Sequence, residues 1–331
     1  MDSVSPVAAP VAPEPAPGAG PGLRRPRRLR RGDRVAVVSP CSPADPERLR
    51  AGCAVLGGLG LDVVVGEHAL DEIAPGHLAG TDRDRARDLE RAWRDPDIAA
   101  VVCARGGYGA TRLLDHLRWD LMAEAEPKIL LGSSDVTALH QAFATRLGVA
   151  TLFGPMPATA GFVTAAGVPD DGTLAHLRTA LFAPEDALVF ASPRAHCLVA
   201  GRARGVTTGG TLTLLAAAVG CPESAPTATG AIVLLEDTGE QPYRIDRMLT
   251  QLLRAGRFAG AAGVVAGTWT DCGPADRVAA VLRERLAHLG VPVLAGLDFG
   301  HGRPQLTVPL GVEAELDAGA GTLTLTSAAL R

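Results

Sequence analysis

Apolar residues along this chain fall mainly in short β-branched runs separated by longer stretches with helical spacing. Arg34-VAVVS, Leu61-DVVVG, Ile98-AAVVCA and Lys128-ILLG read as strands, and Pro46 to Leu59, Asp82 to Arg94, Ala110 to His116 and Val136 to Leu147 read as helices. Strands this uniformly apolar, alternating with helices, predict a parallel sheet covered on both faces, of the flavodoxin or Rossmann kind. Ligands in such sheets sit at the carboxyl ends of the strands, so the loops that follow strands carry the candidate chemistry.

From about 160 to 200 the periodicity weakens and Pro, Gly and Asp accumulate, as in Val168-PDDG, which reads as a connection. A second α/β unit starts near Gly201. It holds Gly209-Gly210 opening a helix at Thr211, the strand Gly230-AIVLLED, a helix from Ile245 to Arg254, the strand Gly263-VVAGTW, a helix from Ala275 to Leu289, and a strand-rich end from Gln305 to Leu325. The expected organisation is a disordered Pro/Ala/Arg-rich tail over 1–31, an N-terminal α/β domain over 32–160, an interdomain linker over 161–200 and a C-terminal α/β domain over 201–331. The arginines between 24 and 31 read as a solvated basic linker. They do not read as a targeting signal, because Val35 to Val38 is too short for the apolar core of one.

The chain has 331 residues and a net charge of −4, which suits two soluble domains and argues against a nucleic-acid partner. No apolar run approaches the roughly 18 residues of a membrane helix, so no membrane partner is expected. The 6 cysteines include no C-x-x-C pair, so neither a zinc ribbon nor a dithiol centre is indicated; they read as buried free thiols of a reducing compartment, and no metal or cofactor is expected. Lys128 is the sole lysine, so a Ser-Lys dyad could draw on that one residue alone.

Four loops offer chemistry. In Lys128-ILLGSSDVTALHQAFA a strand runs through two serines into a helix, which lifts a serine onto a tight turn with the next amide at a helix start; capping by Ser133 or Ser134 is the commoner local role of such residues. Arg105-Gly106-Gly107-Tyr108-Gly109 follows a strand and can form an anion-binding nest, a plain turn, or weakly a nucleotide loop. Glu236 and Asp237 end an apolar strand, either to orient a histidine or as solvated turn formers. His301 lies between glycines in Phe299-GHGRPQLTVPLG, whereas the other histidines lack that frame.

Taken in order, Ser39-Pro40, Leu78-AGTD, Ala104-RGGYGA, Gly132-SSDVTAL, Gly209-GTL, Leu235-EDTGEQPYRIDRML and Gly300-HGRPQLTVPLG resemble the LD-carboxypeptidases of serine peptidase family S66, the muramoyltetrapeptide carboxypeptidases, which have relatives that cleave microcin C. The resemblance covers Arg34 to Leu325. It implies an active site in the cleft between an N-terminal and a C-terminal domain, with Ser134 as nucleophile, His301 as base, Glu236 as triad carboxylate, and the amides of Gly107 and Asp135 as oxyanion hole. It implies release of D-alanine from murein tetrapeptide in the cytoplasm, a small peptide substrate, and a homodimer. Arg105, Gly106, Tyr108, Thr211 and Arg247 are candidate substrate contacts, with Arg244 as a further cation; Thr211 stands where the family often has Asn. A microcin-like peptide–nucleotide substrate is the alternative, for which residues 160–200 supply Phe162, Phe182 and Phe190 but no Trp. A non-catalytic two-lobe binding protein is the third reading.

Overall fold

The valine-rich run Arg34–Val38 is an inner strand of a sheet whose loops converge at one edge. In the computed structural model, which describes residues 22–331 apart from 75, 165, 166 and 226, strands β1 (Arg34–Val38), β2 (Asp62–Val65), β3 (Ile98–Cys103), β4 (Ile129–Gly132) and β5 (Thr151–Phe153) are parallel in the order β2-β1-β3-β4-β5. Between them run helices α1 (Pro46–Gly58), α2 (Asp82–Arg94), α3 (Ala110–Leu113), α4 (Trp119–Ala123) and α5 (Thr137–Ala142). Asp45 and Thr81 cap α1 and α2 by accepting amide hydrogen bonds from Arg48 and Asp84. The strand order reverses between β1 and β3, which opens a crevice at their carboxyl ends.

Helix α6 (Asp171–Phe182) leads to the second sheet: β6 (Val189–Ala191), β7 (His196–Val199), β8 (Arg202–Thr211), β9 (Ala231–Thr238), β10 (Gly263–Thr270), β11 (Val293–Ala295), then, after β12 (Val308–Leu310), β13 (Glu313–Asp317) and β14 (Thr322–Leu325). Strands β8 to β11 are parallel, with α7 (Leu212–Ala217), α8 (Pro242–Arg254) and α9 (Ala275–Leu286) between them.

Alternate residues of both sheets join one buried cluster, which runs from Val35, Val37 and Leu131 through Phe153 and Phe299 to Leu234, Val265 and Leu316. The other faces pack separately under helices, around Leu89, Trp93 and Phe143 in the first lobe and around Leu235, Leu249 and Leu282 in the second. A shared core resists displacement of one lobe against the other, because close-packed interiors deform little.

Three expectations about organisation change. Residues 1–21 of the predicted tail lie outside the described residues, but 22–31 are packed: Leu29 is buried and its amide donates to Leu181. Four of the six arginines there are paired, Arg24 to the Leu147 carbonyl, Arg25 to that of Ala328, Arg27 to Asp33 and Arg28 to Glu185. The segment 161–200 is no plain linker, since it supplies α6 and the two outer strands of the second sheet, β6 and β7. Finally, β12 leaves the C-terminal lobe and pairs antiparallel with β5 in the first sheet. The cysteines are free as expected, but Cys197 and Cys221 are exposed and Cys53 only partly covered.

Candidate active site

Ser134 follows β4 with φ of 61°, one of two non-glycine residues among those described with positive φ. A left-handed conformation costs a β-carbon-bearing residue about 1–2 kcal/mol, so the turn is held by its surroundings. Those surroundings are close: a β-carbon placed on Gly106 would lie 2.7 Å from Ser134 Cβ and 3.2 Å from the Asp135 nitrogen, so the paired glycines are needed for the β3 loop to pass over the serine. Below the turn, buried His140 donates from Nε2 to the Gly132 carbonyl at 3.0 Å and accepts at Nδ1 from Thr151. Burial pushes the His140 pKa down to about 4, so it is a neutral brace. Ser134→Gly is expected to be more stable than Ser134→Ala by about 1 kcal/mol, because only the glycine relieves the left-handed strain; equal melting temperatures for the two variants would contradict a strained elbow.

The β3 loop is shaped by Ser42, from the loop after β1, whose Oγ accepts the Tyr108 amide at 3.0 Å. Ser42 Oγ would sit 2.4 Å from a β-carbon on Gly107, whose φ is +107°. Neither the Gly107 amide nor the Asp135 amide has a hydrogen-bond acceptor among the described residues. Two unsatisfied donors flanking a serine are suited to an oxyanion.

From the second lobe, Glu236 lies fully buried two residues before the end of β9. One carboxylate oxygen accepts from the Thr211 hydroxyl, and the other meets His301 Nδ1 at 2.7 Å. Strand register brings Thr211 there, since it pairs with Glu236 across β8 and β9. A carboxylate only accepts, so Nδ1 carries the proton and, in the neutral ring, Nε2 keeps its lone pair. Burial disfavours the charged imidazole, but the charge of Glu236 and its hydrogen bond outweigh this and raise the His301 pKa above the ordinary 6.5. Asp237, next along β9, is pushed up to about 6 mainly by burial, and its oxygens are taken by Thr213 and the Thr238 amide.

The histidine loop begins after β11 in the second sheet and ends at β12 in the first, so His301 is tethered to both lobes. Thr268 fixes its curve, accepting the Gly302 amide at 3.0 Å and donating to the Phe299 carbonyl at 3.1 Å. Gly300, with φ of +111°, admits no β-carbon because Glu236 Oε2 would be 2.5 Å away. Two cross-lobe contacts draw this assembly toward Ser134: Thr137 Oγ1 accepts the Thr211 amide at 3.1 Å, and Gln305 Nε2 donates to Ser133 Oγ at 3.4 Å. Ser134 and His301 are not themselves hydrogen-bonded here, a contact that commonly tightens only with substrate bound.

The other sequence candidates divide. Arg105 is half-buried beside Gly107 and donates to the Pro43 carbonyl at 3.2 Å. Tyr108 is exposed in the nest loop. Thr211, expected to touch substrate, is instead buried with its hydroxyl engaged by Glu236. Arg247 and Arg244 lie exposed on α8, the first stacked on Tyr243 and the second paired with Glu240, and no contact joins them to Ser134, Glu236 or His301. Lys128 is at the opposite end of β4 from the turn, about 13 Å away at ~3.3 Å per strand residue, donating to the Ile98 carbonyl, which removes the Ser-Lys alternative. Ser42, Thr137, Thr268 and Gln305 were not legible as site residues, since lone hydroxyl and amide residues carry no spacing signal.

A serine on a strained turn in one lobe and a histidine–carboxylate pair in a loop tied to both lobes are the parts a serine hydrolase uses. The chain matches the LD-carboxypeptidase N-terminal domain over residues 35–154 and the LD-carboxypeptidase C-terminal domain over 204–316, and it belongs to that family. A putative carboxypeptidase of Streptomyces coelicolor is 54% identical over 309 residues, 93% of this chain and 98% of the relative. The murein tetrapeptide carboxypeptidase of Pseudomonas aeruginosa is 34% identical over 292 residues, 86% of this chain and 93% of the relative. The microcin C7 self-immunity protein MccF in its wild-type apo state superposes with a TM-score of 0.83 at 24% identity, over 93% of this chain and all of that one, a likeness of fold.

Proposed function

We propose that this enzyme is a serine LD-carboxypeptidase that removes the terminal D-alanine of murein tetrapeptide through a Ser134–His301–Glu236 triad. The observation that carries the reading is the buried Glu236 bonded to His301 Nδ1 at 2.7 Å, which in the neutral ring leaves the Nε2 lone pair free, in a loop tied to both lobes. Ser134 Oγ attacks the carbonyl carbon of the L-centre residue as Nε2 takes its proton. The oxyanion forms between the Gly107 and Asp135 amides. Collapse breaks the amide bond, the imidazolium returns the proton to the departing D-alanine nitrogen, and water then hydrolyses the acyl-enzyme by the same route. Glu236 stabilises the imidazolium throughout. Arg105, beside the nest, is the cation suited to the free carboxylate of the leaving residue.

The substrate reading is supported by the murein tetrapeptide carboxypeptidase among the relatives. The microcin alternative is weakened by the aromatics of the interdomain segment: Phe162 and Phe190 are each 1% exposed within the shared core, and Phe182 packs against it, so stacking a nucleobase would require unpacking them. The proposed setting is cytoplasmic recycling of murein peptides by a homodimer; among the described residues no helix is long and apolar enough to cross a membrane.

Incubation with synthetic murein tetrapeptide and with its all-L analogue, followed by mass analysis, tests the reading. D-alanine loss from the first and no cleavage of the second are expected. A higher kcat/KM on an aminoacyl sulfamoyl nucleotide would transfer the assignment to the microcin-like class. Because the base must be neutral to accept a proton and its pKa is raised, the acid limb of kcat/KM is expected to fall off at a pH above 6.5, with activity lost as pH drops through it. A limb at or below 6.5 would show that Glu236 does not raise the imidazole in solution.

A further inference from the structure

Arg85 sits in the most charged stretch of the chain, Asp82-RDRARDLERAWR, where a solvated helix face is the natural expectation, yet its side chain is 0% exposed. Its guanidinium points under the nest loop. Nη1 donates to the Gly109 carbonyl at 2.9 Å and also to the Pro40 carbonyl, while Nη2 pairs with Asp82. Asp82 is in turn gripped by Arg112 at 2.9 Å, from the helix that follows the loop. The buried carboxylate of Asp135 approaches the same place from the nucleophile turn and accepts the Ala110 amide at 2.7 Å.

The Gly109 carbonyl and the Ala110 amide belong to one peptide group. Its oxygen is held by Arg85 and its N–H by Asp135, so the plane of that peptide is fixed from both ends. A peptide plane is rigid, and clamping it leaves only the torsions of Gly107 to Gly109 to set the direction of the Gly107 N–H. Upstream, Arg85 also holds Pro40, two residues before the Ser42 hydroxyl that accepts the Tyr108 amide. Gly109 itself has φ of +122°, and a β-carbon on it would lie 2.8 Å from Arg85 Nη1, so the arginine fits against bare backbone.

We infer that Arg85 and the Asp135 carboxylate are positioning residues that aim the Gly107 amide at the developing oxyanion. The inference rests on the proposed oxyanion hole. Asp135 then serves both donors: its backbone amide is one, and its side chain sets the loop that carries the other. Buried Asp135 also meets the Cys41 thiol, and burial raises its pKa. Arg85 is tied to two carbonyls and a carboxylate, and a lysine in its place would present a point charge without the planar fork that reaches all three.

The test is a KM-against-kcat comparison on the full chain with murein tetrapeptide, for Asp135→Ala, Asp135→Asn and Arg85→Lys, each verified as folded by circular dichroism. Removing one oxyanion donor outright costs about 100- to 1000-fold in kcat, so misaiming one is expected to cost about 10- to 100-fold with KM changed less than about threefold. Asp135→Asn keeps an acceptor for Ala110 and should recover at least about tenfold over Asp135→Ala. Binding of a peptide phosphinate, whose tetrahedral oxygen occupies the oxyanion place, should weaken in parallel with kcat/KM. If Asp135→Ala does not fold, Arg85→Lys and Asp135→Asn decide, because both preserve volume and a polar partner. Arg85→Lys with wild-type kcat and phosphinate affinity, or an Asp135→Asn variant no better than Asp135→Ala, would overturn the inference while Ser134→Ala remained inactive. Turnover by Ser134→Ala would instead remove the site on which it rests.

Discussion

Ser134→Ala is expected to lower kcat for D-alanine release by about 10⁵- to 10⁶-fold while leaving the fold and substrate affinity close to those of the parent. The size follows from the role: without Oγ no acyl-enzyme forms, and His301 has no proton to take. What remains is attack by water in a site that still offers the Gly107 and Asp135 amides, a contribution of about 10³–10⁴ over solution. The fold should survive because the hydroxyl makes no hydrogen bond among the described residues, and alanine inherits the strain at φ of 61° without adding to it. Ser134→Ala/His301→Ala should be hardly worse than either single variant, since the two groups act as one unit. The check is single-turnover mass analysis with protein in excess over tetrapeptide, alongside circular dichroism. A folded Ser134→Ala protein that releases D-alanine within tenfold of the parent rate would leave the chain without a serine mechanism.

The parts of this site that sequence made legible are those in which one residue type has few alternative uses. His301 is framed by glycines that the structure shows to be sterically required against Glu236 and Thr268, and Glu236 follows an apolar run that needs no carboxylate for folding. Strands β1, β3, β4, β9 and β10 were legible for a similar reason, because strands buried on two faces are continuous apolar runs, whereas β5 to β8 and β11 carried no such run that stood out. Contacts that depend on register or on distant segments were not. Thr211 supports Glu236 only because β8 pairs in a particular register with β9, and no local pattern fixes that pairing. The return of β12 to the first sheet, which tethers the histidine loop, is likewise a tertiary fact. Arginine misled at the start of the chain. The run from Arg24 to Arg31 has the composition of a solvated linker, yet several of its guanidiniums find partners brought from distant parts of the chain, the Leu147 and Ala328 carbonyls and the Glu185 carboxylate. Arg85 has the helical neighbours of a surface residue and the burial of a core one. In both places the long side chain pairs where only the folded chain supplies partners, so composition describes the residue but not its surroundings.

Glu236→Gln separates orientation from mere burial at this site, and its effect should be second only to loss of the nucleophile. The Thr211 hydroxyl can still donate to the side-chain oxygen it holds now, so the amide oxygen stays there and the new NH₂ faces His301 Nδ1. An NH₂ donates, so Nδ1 must become the acceptor and the ring proton moves to Nε2, the atom that should receive the serine proton. A wrong tautomer with intact geometry costs about 10⁴-fold in kcat. Asp237 does not substitute, since its oxygens are committed to Thr213 and the Thr238 amide. The same substitution removes the larger of the charges that raise the imidazole pKa and leaves the smaller one of Asp237, while the burial that lowers it remains, so whatever acid limb survives should move to lower pH. Stability should change little at neutral pH, because a buried carboxylate held by one hydroxyl and one imidazole is replaced by a neutral group of the same shape. Kinetics across pH, with NMR of the imidazole nitrogens to read the tautomer, make the check. A Glu236→Gln protein with undiminished kcat and an unmoved limb would mean that Glu236 neither orients nor charges the histidine, and the base would then have to be sought outside the His301 loop.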